Sequence, residues 1–478
     1  MWTILDTIIV ALFLLAMIGI GVFVKDKINN PLDFFVANRE FKWFAAAVSM
    51  FATYNSVWAF TGAVGYGYRF GVAVLFFYVG AIIGTVGQTY FLAAKIRATR
   101  ALTIFGFLEK RFSQNFRYFV AGANSLIYFM DGGMRLYATA IIPSVFLGWN
   151  PETTVLALFG VCIIYTVLGG MRSVVMTDVL QGLTMFAVFL FAIMIGIGKL
   201  GGIGELGNLD PRFYKLASPE YPLMTGLAIA IPSMVTHFMN FAFHGNRLLA
   251  VRTIREAKKA NIAYAVSTLL FGGLVVVASL LLATAMPGLE KPEAGFTEYL
   301  KVILPTGLLG LFLAGALAAT LSTIDSQAHN ITGWIVSDIY MAKNPNASNK
   351  FLLRLSRAVV ALVICGFLGT SSFTAMSGIF NMVLSWLMPL VAPISVILAA
   401  GFLSKKTNVR VAWIALVGSY ILFIIWKFAA LPYTGIAVPV FTLLVVIFGP
   451  FLLKSNDQEE KQIKEFFKFI DDNIIEDA

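Results

Sequence analysis

The sequence has little charge for its length. Only 13% of its 478 residues are charged, whereas 59% are hydrophobic, and the mean hydropathy is +0.83. A soluble domain usually carries about 25% charged residues because its surface faces water. The composition therefore excludes a soluble domain and predicts an all-α integral membrane protein whose surroundings are the lipid bilayer.

Cysteine and histidine are also scarce. Cys162 and Cys365 lie in apolar segments, and the chain has only 3 histidines. The spacing of these residues supports neither a disulfide framework nor a metal-ligand cluster. A nucleophile with a neighbouring base cannot be recognised, and a short tail follows the last apolar segment. We therefore expect no enzymatic activity, and a membrane enzyme or a sensor is kept only as an alternative.

About thirteen apolar segments are long enough to cross a bilayer, which takes roughly 20 residues of helix. We number them spans 1 to 13. They centre near residues 13, 54, 84, 132, 160, 186, 234, 271, 322, 364, 390, 420 and 444. Span 1 is longer than a signal-peptide core and has no small-residue cleavage site, so we expect it to be a membrane helix.

Basic residues are concentrated in alternate connections between the spans. Connections 1-2, 3-4, 7-8, 9-10 and 11-12 are basic and include Lys25, Arg97, Arg247, Lys350 and Lys405. Such connections face the cytoplasm, which predicts an external amino terminus and a cytoplasmic carboxyl terminus in a cell membrane. The acidic tail, 455–478, is predicted to be a solvated amphipathic helix. The same distribution explains the net charge of +10 without a nucleic-acid partner.

Two spans are poor helices for their hydrophobicity. Span 2 contains ATYNSVWAFTGAVGYGYRFG, and span 7 contains IPSMVTHFMNFAFHGNR. Unwound backbone at membrane depth survives where it lines a cavity, and interrupted helices in corresponding halves indicate a transporter binding site. The two spans are five apart, so the halves would have opposite orientations. Kinked packing helices with small-residue contacts are the alternative.

Few ionisable residues lie within the predicted spans. They are Asp131 and Arg135 in span 4, Asp178 in span 6 and Asp325 in span 9. Charges at this depth are costly and usually face a cavity or a partner. Asp131 and Arg135 share a helix face, so an ion pair without a substrate role is one interpretation.

Span 9 also carries a polar stripe. The run AATLSTIDSQAHN places Ser322, Asp325, Ser326 and His329 on one helix face, with Thr323 beside it. Oxygen ligands of this kind suit a hard monovalent cation. A stripe that only holds helices together is the alternative.

Three segments resemble the sodium:solute symporter family. GGMRSVVMTDVLQG resembles the family's Gly-Gly and Thr-Asp-x-x-Gln signature, NRLLAVRTIREAKKA resembles a cytoplasmic family segment, and ATLSTIDS followed by SDIY resembles the sodium-binding helix. The resemblance covers nearly the whole chain. It implies sodium-coupled symport of a solute by alternating access.

The resemblance also implies the architecture. Residues 1–24 would form an extra helix, 41–200 and 221–403 two inverted five-helix repeats, 409–454 two peripheral helices and 455–478 the tail. Carried over residue by residue, the sodium site would consist of carbonyls of Ala52, Asn55 and Ala319 and hydroxyls of Ser322 and Thr323.

The resemblance gives Asp178 a role in the inner exit path of sodium. In some members the matching aspartate belongs to a second sodium site with positions that are Asp325 and Ser326 here. Many relatives have a hydroxyl or small residue in place of Asp325, so a titrating carboxylate is an alternative. For Asp178, a helix-cap or packing role is the alternative.

The predicted solute is a small organic anion or an amino-acid-like carboxylate. Arg135, with Pro143 eight residues later, resembles the segment in which sialic acid carriers bind a carboxylate, and a guanidinium suits that bidentate task. Tyr54 departs from the threonine of those carriers, whereas Ser56 fits. The candidate substrate residues are Arg135, Tyr54, Ser56, Phe60 and Asn240. A neutral sugar, or a proton-coupled carrier that uses the aspartates or the intramembrane histidines, remains an alternative.

Overall fold

The computed structural model describes residues 2–148, 150–240, 244–371 and 386–477, and almost all of them are helical. The helices up to the first long break are α1 (Ile4–Val24), α2 (Pro31–Val36), α3 (Trp43–Tyr54), α4 (Gly62–Phe70), α5 (Leu75–Phe91), α6 (Ala93–Ala98), α7 (Leu108–Arg111), α8 (Gln114–Leu147) and α9 (Pro151–Leu200). Short 3-10 helices join several of them, at Lys25–Lys27, Ala37–Arg39, Val57–Ala59, Gly71–Val74, Ile203–Asn208 and Pro211–Tyr214.

The second half is built in the same way. It contains α10 (Leu223–Phe238), α11 (Asn246–Ala250), α12 (Ile254–Ala285), α13 (Pro292–Ile303), α14 (Leu308–Gly333), α15 (Asn349–Ser371), α16 (Met388–Leu403), α17 (Val409–Phe428), α18 (Thr434–Leu452) and α19 (Asp457–Asp477). A π helix, Trp334–Met341, continues α14. An isolated parallel bridge joins Phe41 to Val251.

Eight helical segments in the described ranges are long and apolar enough to cross a membrane. They are Ile4–Lys27, Gly62–Phe91, Phe159–Leu200, Ile254–Ala285, Leu308–Met341, Asn349–Thr370, Val409–Phe428 and Thr434–Leu452. Shorter apolar helices at Trp43–Tyr54, Leu223–Phe238 and Met388–Leu403 coincide with spans 2, 7 and 11. The chain is thus a multi-pass membrane protein, while the number thirteen stays a prediction.

Predicted spans 5 and 6 form one helical run with a sharp break. Gly170 inside α9 has φ 51°, a conformation that favours glycine. A Cβ atom there would lie 2.7 Å from the Phe34 carbonyl oxygen of α2. The second glycine of GGMRS is therefore required both by the backbone angle and by the close approach of α2.

The predicted interruptions of spans 2 and 7 are both visible as helix ends. Helix α3 ends at Tyr54 and α4 begins at Gly62, with a short 3-10 helix between them. Helix α10 ends at Phe238 and α11 begins at Asn246, and part of the intervening segment, 241–243, lies outside the described residues. At each of these helix ends, backbone groups lose the intrahelical hydrogen bonds that a continuous helix would provide.

Helix α14 forms the centre of the molecule. Between Leu309 and Gly333 every residue except Leu311 is buried, and the helix packs against α1, α3, α8, α9 and α15. Its polar stripe must therefore find partners inside the protein, because no water or headgroup reaches it. The π-helical end is fixed as well, since Asp338 accepts hydrogen bonds from Thr103 and pairs with Arg117 at 2.7 Å.

The acidic tail is not the fully solvated helix that we predicted. Helix α19 buries Ile463, Phe466, Phe467 and Ile470. It packs against α6 and α7, and Asn473 Nδ2 donates to the Ala98 carbonyl at 3.0 Å. The amphipathic pattern was recognised, but its apolar face finds a protein surface rather than water. This places the tail on the same side of the molecule as connection 3-4.

Candidate ion and substrate sites

Two backbone carbonyls near the end of α3 accept hydrogen bonds from another helix. Asn55 has non-helical angles, φ −87° and ψ 70°, so the α-helix ends there and the carbonyls of its last turn become available to other partners. Two hydroxyls of α14 compensate. Ser322 Oγ donates to Ala52 O at 2.9 Å, and Thr323 Oγ1 donates to Thr53 O at 2.8 Å.

These contacts gather a set of uncharged oxygens that we call the ion cluster. It consists of the carbonyl oxygens of Ala52, Thr53 and Ala319 and the hydroxyl oxygens of Ser322 and Thr323. Ala319 O accepts from both hydroxyls at 3.2 Å, and all five residues are buried. Hard cations take oxygen ligands of this kind, and a hydroxyl keeps lone pairs for a cation.

Four of the five residues predicted for sodium therefore lie in the ion cluster. Asn55, the fifth, is buried one residue beyond the end of α3, where its backbone N–H donates to Phe51 O at 3.0 Å. The carbonyl of Thr53 was not predicted. The signal that could have found it is the helix end itself, because carbonyls of a last helical turn commonly take partners outside the helix.

A buried ion pair lies beside the ion cluster. Arg247 Nη2 is 3.0 Å from Asp178 Oδ2, and both side chains are fully buried. Arg247 also donates to Ser49 Oγ and Thr53 Oγ1, each at 3.0 Å, and to Ser326 Oγ. Elements α3, α9, α11 and α14 thus meet at one guanidinium.

Arg247 was predicted in the basic connection 7-8, but its side chain is buried instead of facing the cytoplasm. Arg247 belongs to α11, where the chain becomes helical again after the break near span 7. Because the segment re-enters the protein there, the arginine is buried rather than exposed. Asp178 therefore has an arginine of the protein itself as its ion-pair partner.

Asp325 has different partners from Asp178. Tyr165 Oη donates to its Oδ2 at 2.8 Å, and Ser326 Oγ donates to its Oδ1 at 3.2 Å. In the described part of the chain no basic side chain forms an ion pair with Asp325. The region next to the ion cluster therefore contains two buried carboxyl groups and one buried guanidinium.

A cavity borders the break in span 2. Its walls include Tyr54, Trp58, Phe77, Tyr128, Arg135 and Asn240. Arg135 Nε donates to Asp131 Oδ2 at 2.8 Å, and its Nη1 donates to Ser56 Oγ at 2.8 Å. The predicted ion pair within α8 is present, and the guanidinium that forms it also faces the cavity.

The structure brings most predicted substrate residues together but not all of them. Tyr54, Arg135 and Asn240 line the cavity, and Ser56 contacts Arg135. Phe60 lies in a separate aromatic cluster, with its ring 4.8 Å from that of Phe189 and 5.8 Å from that of Phe312. Its position is typical of helix packing.

Two side chains connect the ion cluster to this cavity. Tyr54 follows Thr53 directly and lines the cavity. Gln327, one turn after Thr323 on α14, donates through Nε2 to Asp131, the partner of Arg135. One residue of α3 and one of α14 thus lie between the two sites.

All three histidines are buried near these sites. The His237 ring is 4.3 Å from the Tyr54 ring, and its Nδ1 lies 2.6 Å from Ser233 O, as expected for an Nδ1–H donor. His244 packs against Tyr264 at 4.2 Å, and His329 Nε2 lies 3.4 Å from Phe35 O. His237 and His244 thus pack near Tyr54 at the cavity, whereas His329 packs against Phe34 and Phe35 of α2.

Comparison with known proteins gives a consistent result. The model of the sodium:solute symporter family matches residues 34–419. The chain is 26% identical to a sodium/glucose cotransporter of Vibrio parahaemolyticus, over 96% of this chain and 92% of that protein. It is 27% identical to a sodium/sialic acid symporter of Aliivibrio fischeri, over 91% of this chain and 90% of that protein.

The fold is shared with a solved structure. A substrate-bound, outward-open sodium-coupled sialic acid symporter superposes with a TM-score of 0.84 and 19% identity, and covers 95% of this chain and 99% of that one. At this identity the likeness concerns the fold alone.

Proposed function

Because the chain belongs to the sodium:solute symporter family, we propose that it imports a small carboxylate-bearing solute across the cell membrane together with sodium. Membership makes the chain a membrane transporter that couples solute movement to sodium, and not an enzyme. The identity of the solute and the residues that bind it are the parts that we propose.

The observation that carries the proposal is the ion cluster next to Asp325. The cluster offers five oxygens without formal charge, and Asp325 lies nearby without an ion-pair partner among the described residues. With Asp325 ionised, the region would have one net negative charge, which one monovalent cation would neutralise. A divalent cation would leave it positive, at a depth where net charge is costly. Together with family membership, this balance favours sodium as the co-transported ion.

Coupling between ion and solute follows from shared elements. The ion cluster takes carbonyls from the last turn of α3, and the next residue, Tyr54, lines the cavity. A cation that fixes the end of α3 would thus also fix one wall of the solute site. Gln327 extends the same effect to Asp131 and Arg135. Differential affinity of this kind is what couples two binding events.

The cavity supports a carboxylate-bearing solute. Arg135 presents a guanidinium at its wall, and a carboxylate could replace or share the Asp131 contact. A neutral sugar is the second candidate, since Asp131 already satisfies the charge of Arg135. The similar proteins include both a sodium/glucose cotransporter and a sodium/sialic acid symporter, so the choice depends on the arginine.

We also propose the family topology for this chain. Repeats at 41–200 and 221–403 would each begin with an interrupted helix, which is supported by the ends of α3 and α10. Helix α1 would precede them, and the peripheral segment 409–454 would follow. The basic connections support an external amino terminus and a cytoplasmic carboxyl terminus, with thirteen spans in all.

The test uses hydroxyl removal in proteoliposomes. Ser322→Ala and Thr323→Ala should each raise the sodium concentration for half-maximal uptake, because each removes a proposed ligand. Thr320→Ala is the matched control, since its hydroxyl only donates within α14, to Ala316 O at 3.4 Å. The solute itself can be found by thermal-shift screening of carboxylates, sugars and amino acids with sodium or potassium. Unchanged sodium curves in both variants would remove these hydroxyls from the ion site.

A further inference from the structure

A groove opens on the outer surface where α3 begins, far from the ion and substrate sites. We call it the Trp43 groove. It has a volume of about 450 Å³ and is lined by Trp43, Thr89, Tyr90, Lys258, Lys259 and Ile262. These residues come from the first turn of α3, the last turns of α5 and the beginning of α12.

One end of the Trp43 groove continues into a lipid-facing surface. Ile262 is followed on the same face of α12 by Val266, Leu269 and Leu270, and each of these three is more than half exposed. In a membrane protein, a stripe of exposed aliphatic side chains contacts acyl chains. The groove therefore lies at the boundary between the hydrocarbon and the headgroups, where Trp and Tyr are enriched.

The other end of the groove is basic. Lys258 and Lys259 are exposed, and within the described ranges neither takes part in an ion pair. The nearby Glu256 is occupied differently, because its Oε2 accepts a hydrogen bond from the Trp43 backbone N–H at 2.6 Å. The groove thus combines two ammonium groups and two aromatic rings at one end of an apolar stripe.

We infer that the Trp43 groove binds an anionic phospholipid. The phosphate would lie against Lys258 and Lys259, the Thr89 and Tyr90 side chains would flank the headgroup, and the acyl chains would follow Ile262 and Val266 along α12. Basic pockets between membrane helices at the headgroup level bind anionic lipids by this combination of charge and apolar area. A zwitterionic lipid lacks the net charge that the lysines require.

The position of the groove gives the lipid a consequence. Trp43 begins α3, the helix whose last turn supplies Ala52 and Thr53 to the ion cluster. The contact of Glu256 with Trp43 joins the start of α3 to α12. A bound lipid would fasten these two helices together, and so would oppose any movement of α3 that opens the ion cluster on that side.

The experiment measures lipid binding to the full-length protein in detergent by native mass spectrometry. Phosphatidylglycerol and phosphatidylcholine of the same chain length are titrated separately, and inorganic phosphate tests the headgroup charge alone. We expect phosphatidylglycerol to bind the wild type more tightly than phosphatidylcholine does. The double variant Lys258→Gln/Lys259→Gln should weaken phosphatidylglycerol binding about 30-fold, because each lysine contributes a factor of about five to the affinity.

The control removes two equivalent charges elsewhere. Lys25 and Lys350 are exposed and lie in other basic connections, away from the groove lining. Lys25→Gln/Lys350→Gln should bind phosphatidylglycerol like the wild type. Equal losses in the two double variants would show a diffuse charge effect and overturn the site. Equal binding of the two lipids by the wild type would overturn it too. So would inorganic phosphate that protects the wild type against thermal unfolding as well as phosphatidylglycerol does.

Discussion

Two buried aspartate–arginine pairs in this protein have similar chemistry and different surroundings. Asp178 and Arg247 come from different helices and are both fully inaccessible. Asp131 and Arg135 are four residues apart on α8, and Arg135 lines a cavity. The first guanidinium is held by oxygens of several elements, whereas the second faces the cavity in which we propose that the solute binds. The comparison indicates that the first pair fixes the structure and the second can exchange partners.

Removal of Arg247 should give the largest effect. Arg247→Ala leaves Asp178 with an uncompensated buried charge, which costs on the order of 3–5 kcal/mol. We expect a large drop in the midpoint of thermal unfolding in detergent. Asp178→Asn/Arg247→Gln should unfold at a higher temperature than Arg247→Ala, because neither charge is left. Arg354→Ala, an exposed arginine, is the control. If Arg247→Ala unfolds with the wild type, the pair does not hold the helices together.

A change at Arg135 should affect binding more than stability. Arg135→Lys keeps the charge for Asp131 but loses the planar fork, so binding of a carboxylate solute should weaken by about 1.5–3 kcal/mol. Calorimetry of both proteins with the solute and with its neutral analogue gives the coupling. The neutral analogue should be nearly indifferent to the substitution. Additive losses would separate Arg135 from the carboxylate and favour a neutral sugar.

Asp325 belongs to neither of these two ion pairs. Asp325→Asn removes the ionisable carboxyl group that forms a pair with neither arginine, and we expect the half-saturating sodium concentration to rise about tenfold, roughly 1.4 kcal/mol. Tyr165→Phe keeps this carboxyl group but removes its 2.8 Å hydrogen bond, together with a 3.3 Å bond to Leu321 O, and should have a smaller effect. Sodium activation of uptake is the measurement. Equal shifts in the two variants would mean that the hydrogen bond, rather than the charge, matters.

An exposed ion pair should have the smallest effect on stability. Glu476 is 2.7 Å from Arg100, and both side chains are well exposed. Exposed pairs contribute up to about 1 kcal/mol because water and salt screen them. Glu476→Gln should therefore change the unfolding midpoint only slightly, and less at high salt. A drop comparable to that of Arg247→Ala would show that burial does not rank these pairs.

The sequence was informative where function depends on neighbouring residues. Ser322 and Thr323 lie side by side on one helix, so a local pattern predicted the hydroxyl part of the ion cluster. The break after Tyr54 was visible from polar residues and glycines in an apolar span. The carbonyl of Thr53 was not predicted, because a carbonyl is common to every residue and only the exact helix end distinguishes this one. Phe60 was predicted to line the substrate site, whereas its ring packs against Phe189 and Phe312.

The amino-acid sequence by itself determined the class of protein, its family and the helix that carries the proposed ion ligands, because sparse charge, long apolar runs and adjacent hydroxyls are local properties. Only the tertiary structure decided which charges are compensated. Asp178 and Arg247 are 69 residues apart, and the sequence around Arg247 resembles an ordinary basic connection. The same holds for the tail, whose apolar face could contact water, lipid or protein. Burial of a charge or of an apolar face depends on what surrounds it, and the surroundings come from distant parts of the chain.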